Sequence, residues 1–189
     1  MSDEQRQSGD YEAQVRTTDD IPDEEMVKGD DTDGHGEGSV VAEEGFEAVR
    51  RWRVALSLNT LLSQINTMAP NRSKASDGSI GDPAHQSRNS DHNPWIVDAG
   101  VGVVSARDFT HDPTHGCDCN QIAEAIRASR DPRVKYLIWN RRIASSSPIG
   151  AVAAWEWRRY TGANGHTHHV HISVKSDKAN YDSTAPWAI

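Results

Sequence analysis

Apolar positions along this chain change character near Phe46. Before it no apolar period is sustained, whereas beyond it apolar residues recur in patterns that specify elements. Val49, Trp52 and Leu56, then Leu58, Leu61, Leu62 and Ile65, are spaced as one face of an amphipathic helix, and Pro70 marks its end, so one long helix is predicted here. The following NRSKASDGSIGDPAHQSRNSDHNPW is rich in turn formers and predicts an extended loop, a length that in a compact domain usually serves function. GVGVVSARDFT then reads as one strand, with Val104, Ala106 and Asp108 on one face and Val103, Ser105, Arg107 and Phe109 on the other. In CNQIAEAIRASR, Ile122, Ala125 and Ile126 form the buried stripe of a second helix, with Asp118 or Asn120 as its cap and Asp131-Pro132 as its stop. VKYLIWNRRI is apolar enough for a central strand. HHVHISVK alternates cleanly, placing Val170, Ile172 and Val174 on one face and His169, His171 and Ser173 on the other.

Charge divides the chain at the same place. Residues 1–50 carry 16 acidic and 4 basic side chains, a net of −12, while residues 51–189 carry 12 acidic and 16 basic, a net of +4. The acidic segment, residues 1–45, cannot bury enough apolar surface to offset its ordering entropy and is expected to be disordered. Residues 46–189 are expected to form one domain. Its mild basicity would favour an anionic partner such as wall polymer or nucleic acid. Cys117 and Cys119 stand one residue apart, too close for a relaxed disulfide, and are expected to be reduced thiols. The N-terminus lacks the basic and apolar regions of a secretory signal, and no apolar run suits membrane insertion, so synthesis in the cytoplasm is expected.

Candidate chemistry lies in the histidines. The chain has 9, and His166, His168, His169 and His171 fall close together. Strand parity puts His169 and His171 on one face and His168 on the other, with His166 back in the turn. A catalytic zinc usually takes three nitrogen or oxygen ligands and keeps a fourth position for water. His171, a second histidine and an acid would satisfy that. His92, in the loop phrase Ser90-Asp91-His92-Asn93, stands 16 positions before Asp108 and completes such a set. A solvated histidine strand that picks up adventitious metal is the competing reading.

Three short motifs carry a family resemblance: Ser90-Asp91-His92, Ala106-Arg107-Asp108 and His169-Val170-His171. With them the chain resembles the zinc D-Ala-D-Ala carboxypeptidases and VanY-like endolysins, whose fold is shared with lysostaphin-type enzymes and murein endopeptidases. The likeness is strongest to lysin A type peptidase domains of actinobacterial phages, in which APNRSKASDGSIGD, SDHNPW, DPRVKYLIWNRRI and YTGANGHTHHVHISV recur in order. It covers roughly Trp52 to Trp187.

The resemblance implies an α+β domain in which helices cover one face of a small antiparallel sheet and Zn2+ sits on the other. His92, Asp108 and His171 become the expected ligands, with His85 the substitute for His92. His169 and His166 become the groups that handle charge and protons, ahead of Glu156. The expected activity is hydrolysis of an amide in bacterial peptidoglycan by a monomer, without nucleic acid as a partner, after holin-dependent release. Arg72 and Arg88 in the loop are candidate grips for a substrate carboxylate, or braces of the loop itself. A second metal site from His111, His115, Cys117 and Cys119 is conceivable, although THDPTHGCDCN is turn-like. The alternatives are a metal-dependent nuclease and a catalytically inactive wall-binding or virion protein of the same fold.

Overall fold

The computed structural model describes residues 52–79 and 90–189. The acidic segment 1–45, His85 and Arg88 lie outside the described residues. Among the described residues eight strands and three α-helices follow one another: β1 (Trp52–Val54), α1 (Leu56–Met68), β2 (Ile96–Asp98), β3 (Val101–Val104), β4 (Ala106–Thr110), α2 (Cys119–Ser129), β5 (Val134–Trp139), β6 (Arg142–Ser145), β7 (Arg158–Arg159), β8 (His169–Val174) and α3 (Lys178–Tyr181).

The class is α+β, but the strands form two sheets rather than the single antiparallel sheet expected. One is three-stranded in the order β1-β3-β2, with β1 parallel to β3 and β2 antiparallel to it. The other is five-stranded and antiparallel, in the order β4-β8-β5-β6-β7, which makes β5 the central strand as its apolar run predicts.

Two local departures account for the extra sheet. The long helix begins only at Leu56, because Trp52–Val54 is extended and pairs with Gly102–Val104, and Ala55 N–H then donates to Val104 O at 3.0 Å. Trp52 and Val54 fit a period of two as well as they fit the helical period, and Arg53 between them pairs with Asp98 at 2.9 Å and Asp182 at 2.7 Å. The run GVGVVSARDFT is likewise cut in two at Ser105. There the backbone N–H donates to Asp91 O at 3.1 Å, and the carbonyl accepts from Val174 N–H at 2.8 Å, so the chain leaves one sheet and enters the other.

Helix α2 is capped as expected, with the Asp118 side chain accepting from Asn120 N–H, and it closes on Arg130 in the left-handed region. Its buried stripe is Cys119, Ile122, Ala123 and Ile126, with Ala125 only partly buried, so the stripe is rotated slightly from the expected one. A two-residue turn joins β5 to β6, with Asn140 and Arg141 both at positive φ (47° and 60°), the twist that suits a tight hairpin.

Helices α1 and α2 pack on the sheet face built from Phe109, Leu137, Val170, Ile172 and Val174, where Leu58, Leu61, Ile65, Ile122 and Ile126 meet it in one core. The chain end returns to this core: Trp187 is buried, and its indole N–H donates to Ser57 O at 2.8 Å. The opposite face of the larger sheet carries Tyr136, Ile138, Ile143 and Tyr160, together with the polar side chains described next.

Candidate metal centre

Three elements deliver the central side chains. Strands β4 and β8 are paired so that Asp108 stands directly opposite His171 and Thr110 opposite His169. Cross-strand partners project from the same face of a sheet, so this register alone brings a carboxylate beside an imidazole. Alternation along β8 does the rest: His169, His171 and Ser173 share this face while Val170, Ile172 and Val174 enter the core, as the sequence predicts.

His92 arrives from the loop before β2, and that loop is rigidly held. Asn93 N–H donates to Ser90 O at 2.9 Å, closing a turn, and the Trp95 indole N–H donates to the same carbonyl at 2.8 Å. Asp91 accepts from Lys135 Nζ at 3.1 and 3.2 Å, and both side chains are buried. Asp91 thereby ties the loop to β5 immediately before the histidine it must aim.

The result is a buried triad of donor atoms. His92 Nε2 lies 3.2 Å from His171 Nδ1 and 3.4 Å from Asp108 Oδ2, and His171 Nδ1 lies 3.1 Å from Asp108 Oδ1. The outer nitrogen of His171 is satisfied separately, 2.8 Å from Ser173 Oγ, and the Tyr136 ring stacks on the imidazole with centroids 5.4 Å apart. When Nε2–H donates to that hydroxyl, Nδ1 presents a lone pair toward the carboxylate and His92, an arrangement that calls for positive charge between them. A ligand histidine that gives its second N–H to a neighbouring oxygen is the usual device for fixing its tautomer and direction. Two imidazoles and a carboxylate, all buried and converging, form a set that could hold a metal ion.

In the absence of an ion, protons can take its place. Burial pushes the Asp108 carboxyl up, but the charges of and hydrogen bonds from His92 and His171 outweigh it and hold the group below the usual carboxylate range.

His169 and His166 flank the triad. His169 Nε2 is 3.8 Å from Asp108 Oδ2, and the His166 ring lies 4.9 Å from that of His169 and 5.6 Å from that of His171, centroid to centroid. His166 occupies the left-handed region at φ 47°, and its carbonyl accepts from Asn140 N–H at 2.9 Å, so the turn before β8 folds it back over the site. Its Nδ1 is 2.9 Å from the Asn164 carbonyl, which only accepts; Nδ1 therefore carries the proton, and in the neutral ring Nε2 presents a lone pair. Asp108, His166 and His169 make a second potential metal-binding group, but it shares Asp108 with the first.

Other sequence-predicted residues sit elsewhere. His168, just before β8, is exposed and lies outside the cluster, and Glu156 is exposed in the segment before β7. Arg72 is buried away from solvent and braces its loop: Nη1 and Nη2 meet the Asp77 carboxylate at 2.8 and 2.5 Å, and Nε donates to Asn66 Oδ1 at 3.0 Å. Asp77 in turn accepts from Thr110 N–H at 2.9 Å, so this arginine supports the end of β4 and is not placed to grip a substrate. Burial pushes the Asp77 carboxyl up, but Arg72 and Thr110 pull it below its ordinary value. The conceivable second site does not assemble among the described residues. Cys117 Sγ and Cys119 Sγ donate to the carbonyls of Thr110 and Phe109 at 3.1 and 3.4 Å, His111 Nδ1 accepts from Cys119 N–H at 3.1 Å, and His115 pairs with Asp112 at 2.8 Å. Both thiols are buried and free, as their spacing predicts.

Lys135, Tyr136 and Ser173 are the supporting residues that motif reasoning passes over. A lone lysine within an otherwise apolar central strand is the signal that could have exposed the first, since a buried ammonium needs a carboxylate. Scans of family models and searches of curated proteins and of solved structures gave no match to this chain, so its own residues carry the functional argument.

Proposed function

We propose that this domain is a zinc-dependent peptidase that hydrolyses an amide bond in the stem peptide or cross-bridge of bacterial peptidoglycan. The observation that carries the proposal is the convergence of His92 Nε2, His171 Nδ1 and the Asp108 carboxylate within 3.4 Å of one another on a buried sheet face. A ligand set of nitrogen and oxygen donors without thiolate suits catalytic zinc, and three protein ligands leave a coordination position for chemistry. Bound there, the ion would polarise a carbonyl oxygen and bring the acidity of a water into the neutral range.

The flanking residues supply the proton handling. His166 Nε2, presenting its lone pair, can hold a proton during attack and return it to the departing amine. His169, beside Asp108, is placed to stabilise negative charge developing on the substrate oxygen when protonated. Tyr136 and Tyr160 cover His171 and His166 with aromatic surface and limit water around these rings.

The test is incubation of the purified protein with peptidoglycan and, in parallel, with plasmid DNA, each with and without a chelator. Release of new amine termini from the wall, abolished by chelation and restored by zinc, is the expected result, and mass spectrometry of the fragments identifies the bond. Cleavage of DNA without release of wall peptides reverses the reading in favour of a nuclease.

A further inference from the structure

We propose that the exposed arginine edge formed by Arg141, Arg142 and Arg159 on the β6–β7 pair is a docking surface for the acidic segment of the same chain, residues 1–45. The inference is independent of the peptidase reading and assigns a partner to the basic side of the domain.

Charge is not spread evenly over the domain. Residues 124–159 carry 8 of its 16 basic side chains and only 3 acidic ones, a net of +5, whereas the rest of residues 51–189 has a net of −1. Several of those cations are already matched: Arg127 pairs with Glu124, Arg133 with Asp131 at 2.5 Å, and Lys135 with Asp91 at 3.1 Å. Others stand together without a counter-charge. Arg142 and Arg159 are direct cross-strand partners, and Arg141 occupies the hairpin turn beside them. All three are exposed, and none of them forms an ion pair among the described residues. Like charges directly opposite each other in a sheet are unfavourable, so this pair calls for an anion.

The edge is presented rather than collapsed. Arg141 N–H donates to Gly165 O at 2.8 Å, and its carbonyl accepts from Tyr160 N–H at 2.9 Å, which fixes the turn. The Arg142 guanidinium lies 4.8 Å from the Trp157 ring, whose indole N–H is held by Glu124 at 3.1 Å. Strand β7 is outermost in its sheet, and Ala144, two positions after Arg142, enters the core on the helix side. Arg142 and Arg159 therefore lie on the face away from the His–Asp cluster.

The complementary charge is within the chain. Residues 1–45 hold 15 acidic and 3 basic side chains, and 8 of those acids fall between Asp19 and Asp33. Asp33 precedes Trp52, where the described chain begins, by 19 residues, a tether that can span up to about 60 Å. A domain of about 140 residues has a radius of gyration near 14 Å, so the acidic run can reach any part of its surface. Tethering makes the encounter intramolecular, at an effective concentration on the order of millimolar. An external polyanion, in contrast, first meets a chain whose net charge is −8. Single exposed ion pairs are weak, so several carboxylates exchanging over the three arginines carry the contact, and salt should dissolve it.

The experiment places a nitroxide on Thr18→Cys in the full chain, where Cys117 and Cys119 are buried, and reads the backbone amide signals of the domain by NMR. Spectra are compared in about 0.01 M and about 1 M salt, in which charges act over roughly 30 Å and 3 Å. At low salt the label should erase the amide signals around Arg141, Arg142 and Arg159 more strongly than those of other exposed elements, and high salt should restore them. The combined variant Arg141→Ser, Arg142→Ser and Arg159→Ser should lose the effect at low salt, while the corresponding triple lysine variant should keep most of it, because charge and not the arginine fork carries the contact. Circular dichroism reports folding; should the serine variant not fold, the salt response of the wild type and the lysine variant decides. Erasure spread evenly over the domain, or undiminished in high salt or in the folded serine variant, overturns the proposal. So does inorganic polyphosphate that shifts these same amides in a chain whose label erases none of them, since the edge then serves an external polyanion. Neither result bears on the peptidase reading, because these substitutions leave the His–Asp cluster intact.

Discussion

His171 and His169 are two positions apart on one strand face and are expected to fail differently when removed. His171→Ala takes away one of three converging ligands, so the purified variant should contain little zinc. His169→Ala leaves the triad whole and should keep its metal while losing turnover by about 10²-fold or more, the scale for removing a group that stabilises charge on the substrate oxygen. Elemental analysis beside a wall-digestion assay separates the two outcomes, and full activity in both variants removes this site from consideration. Metal count carries a second expectation. Because the groups His92–Asp108–His171 and Asp108–His166–His169 share one carboxylate, the chain should hold a single tightly bound zinc; two per chain would show that His166 and His169 hold an ion of their own. Lys135 has a different role, since it touches neither the triad nor its flank but holds Asp91 beside His92. Lys135→Met leaves Asp91 buried without its partner, a change of about 3–5 kcal/mol against folding. Urea titration measures that loss, and adding Asp91→Leu to the same chain should recover part of it.

Elements differ in how openly the sequence declares them. Strand β8 is legible because its alternation is strict and its two faces have opposite needs, imidazoles toward the ligand set and aliphatics toward the helices. Helix α2 is legible because Asp118 caps it and Asp131-Pro132 stops it. Strand β1 is not, since Trp52 and Val54 satisfy both periods and only the distant partner Val101–Val104 selects the extended one. The break at Ser105 is hidden for the same reason: the hydrogen bonds that divide the run come from Asp91 and Val174, which no local pattern names. The site divides along this line too. The candidate ligands are legible from residue type, parity and the family resemblance, whereas the roles of Arg72 and Lys135 depend on which charge the fold brings to each. The chain end makes an element-scale prediction. Trp187 packs under the Arg133 guanidinium, 3.9 Å from its ring, and exchanges hydrogen bonds with Gln64 of α1 at 2.7 and 3.0 Å, so the tail clamps α1 to the body. Trp187→Ala should therefore cost about 3–5 kcal/mol by chemical denaturation, and a loss near zero would show that α1 is held without the tail.

For the whole molecule, metal and folding are linked through the protons the ligands must give up. Metal binding requires neutral His92 and His171, so protons compete with the ion for these nitrogens and affinity should fall as pH is lowered. A ligand that binds only the folded chain stabilises it, by about 2.7 kcal/mol at a free concentration 100 times the dissociation constant. At pH 7.5 that corresponds to a rise of roughly 5–10 °C in the melting temperature of a domain of this size. The metal-free protein has a separate acid dependence. Its Asp108 carboxyl lies below the ordinary value of about 3.9, so the stability this group contributes is present above that pH and is lost as pH falls through the folded-state value. The two effects are distinct: the zinc response weakens as protons compete for the two imidazoles, whereas the Asp108 contribution is lost only as pH falls below the ordinary carboxylate range. Thermal denaturation with and without zinc across pH 3–8 resolves both. A zinc response of equal size at pH 5 and pH 7.5 would mean that the ion binds through groups other than these two histidines.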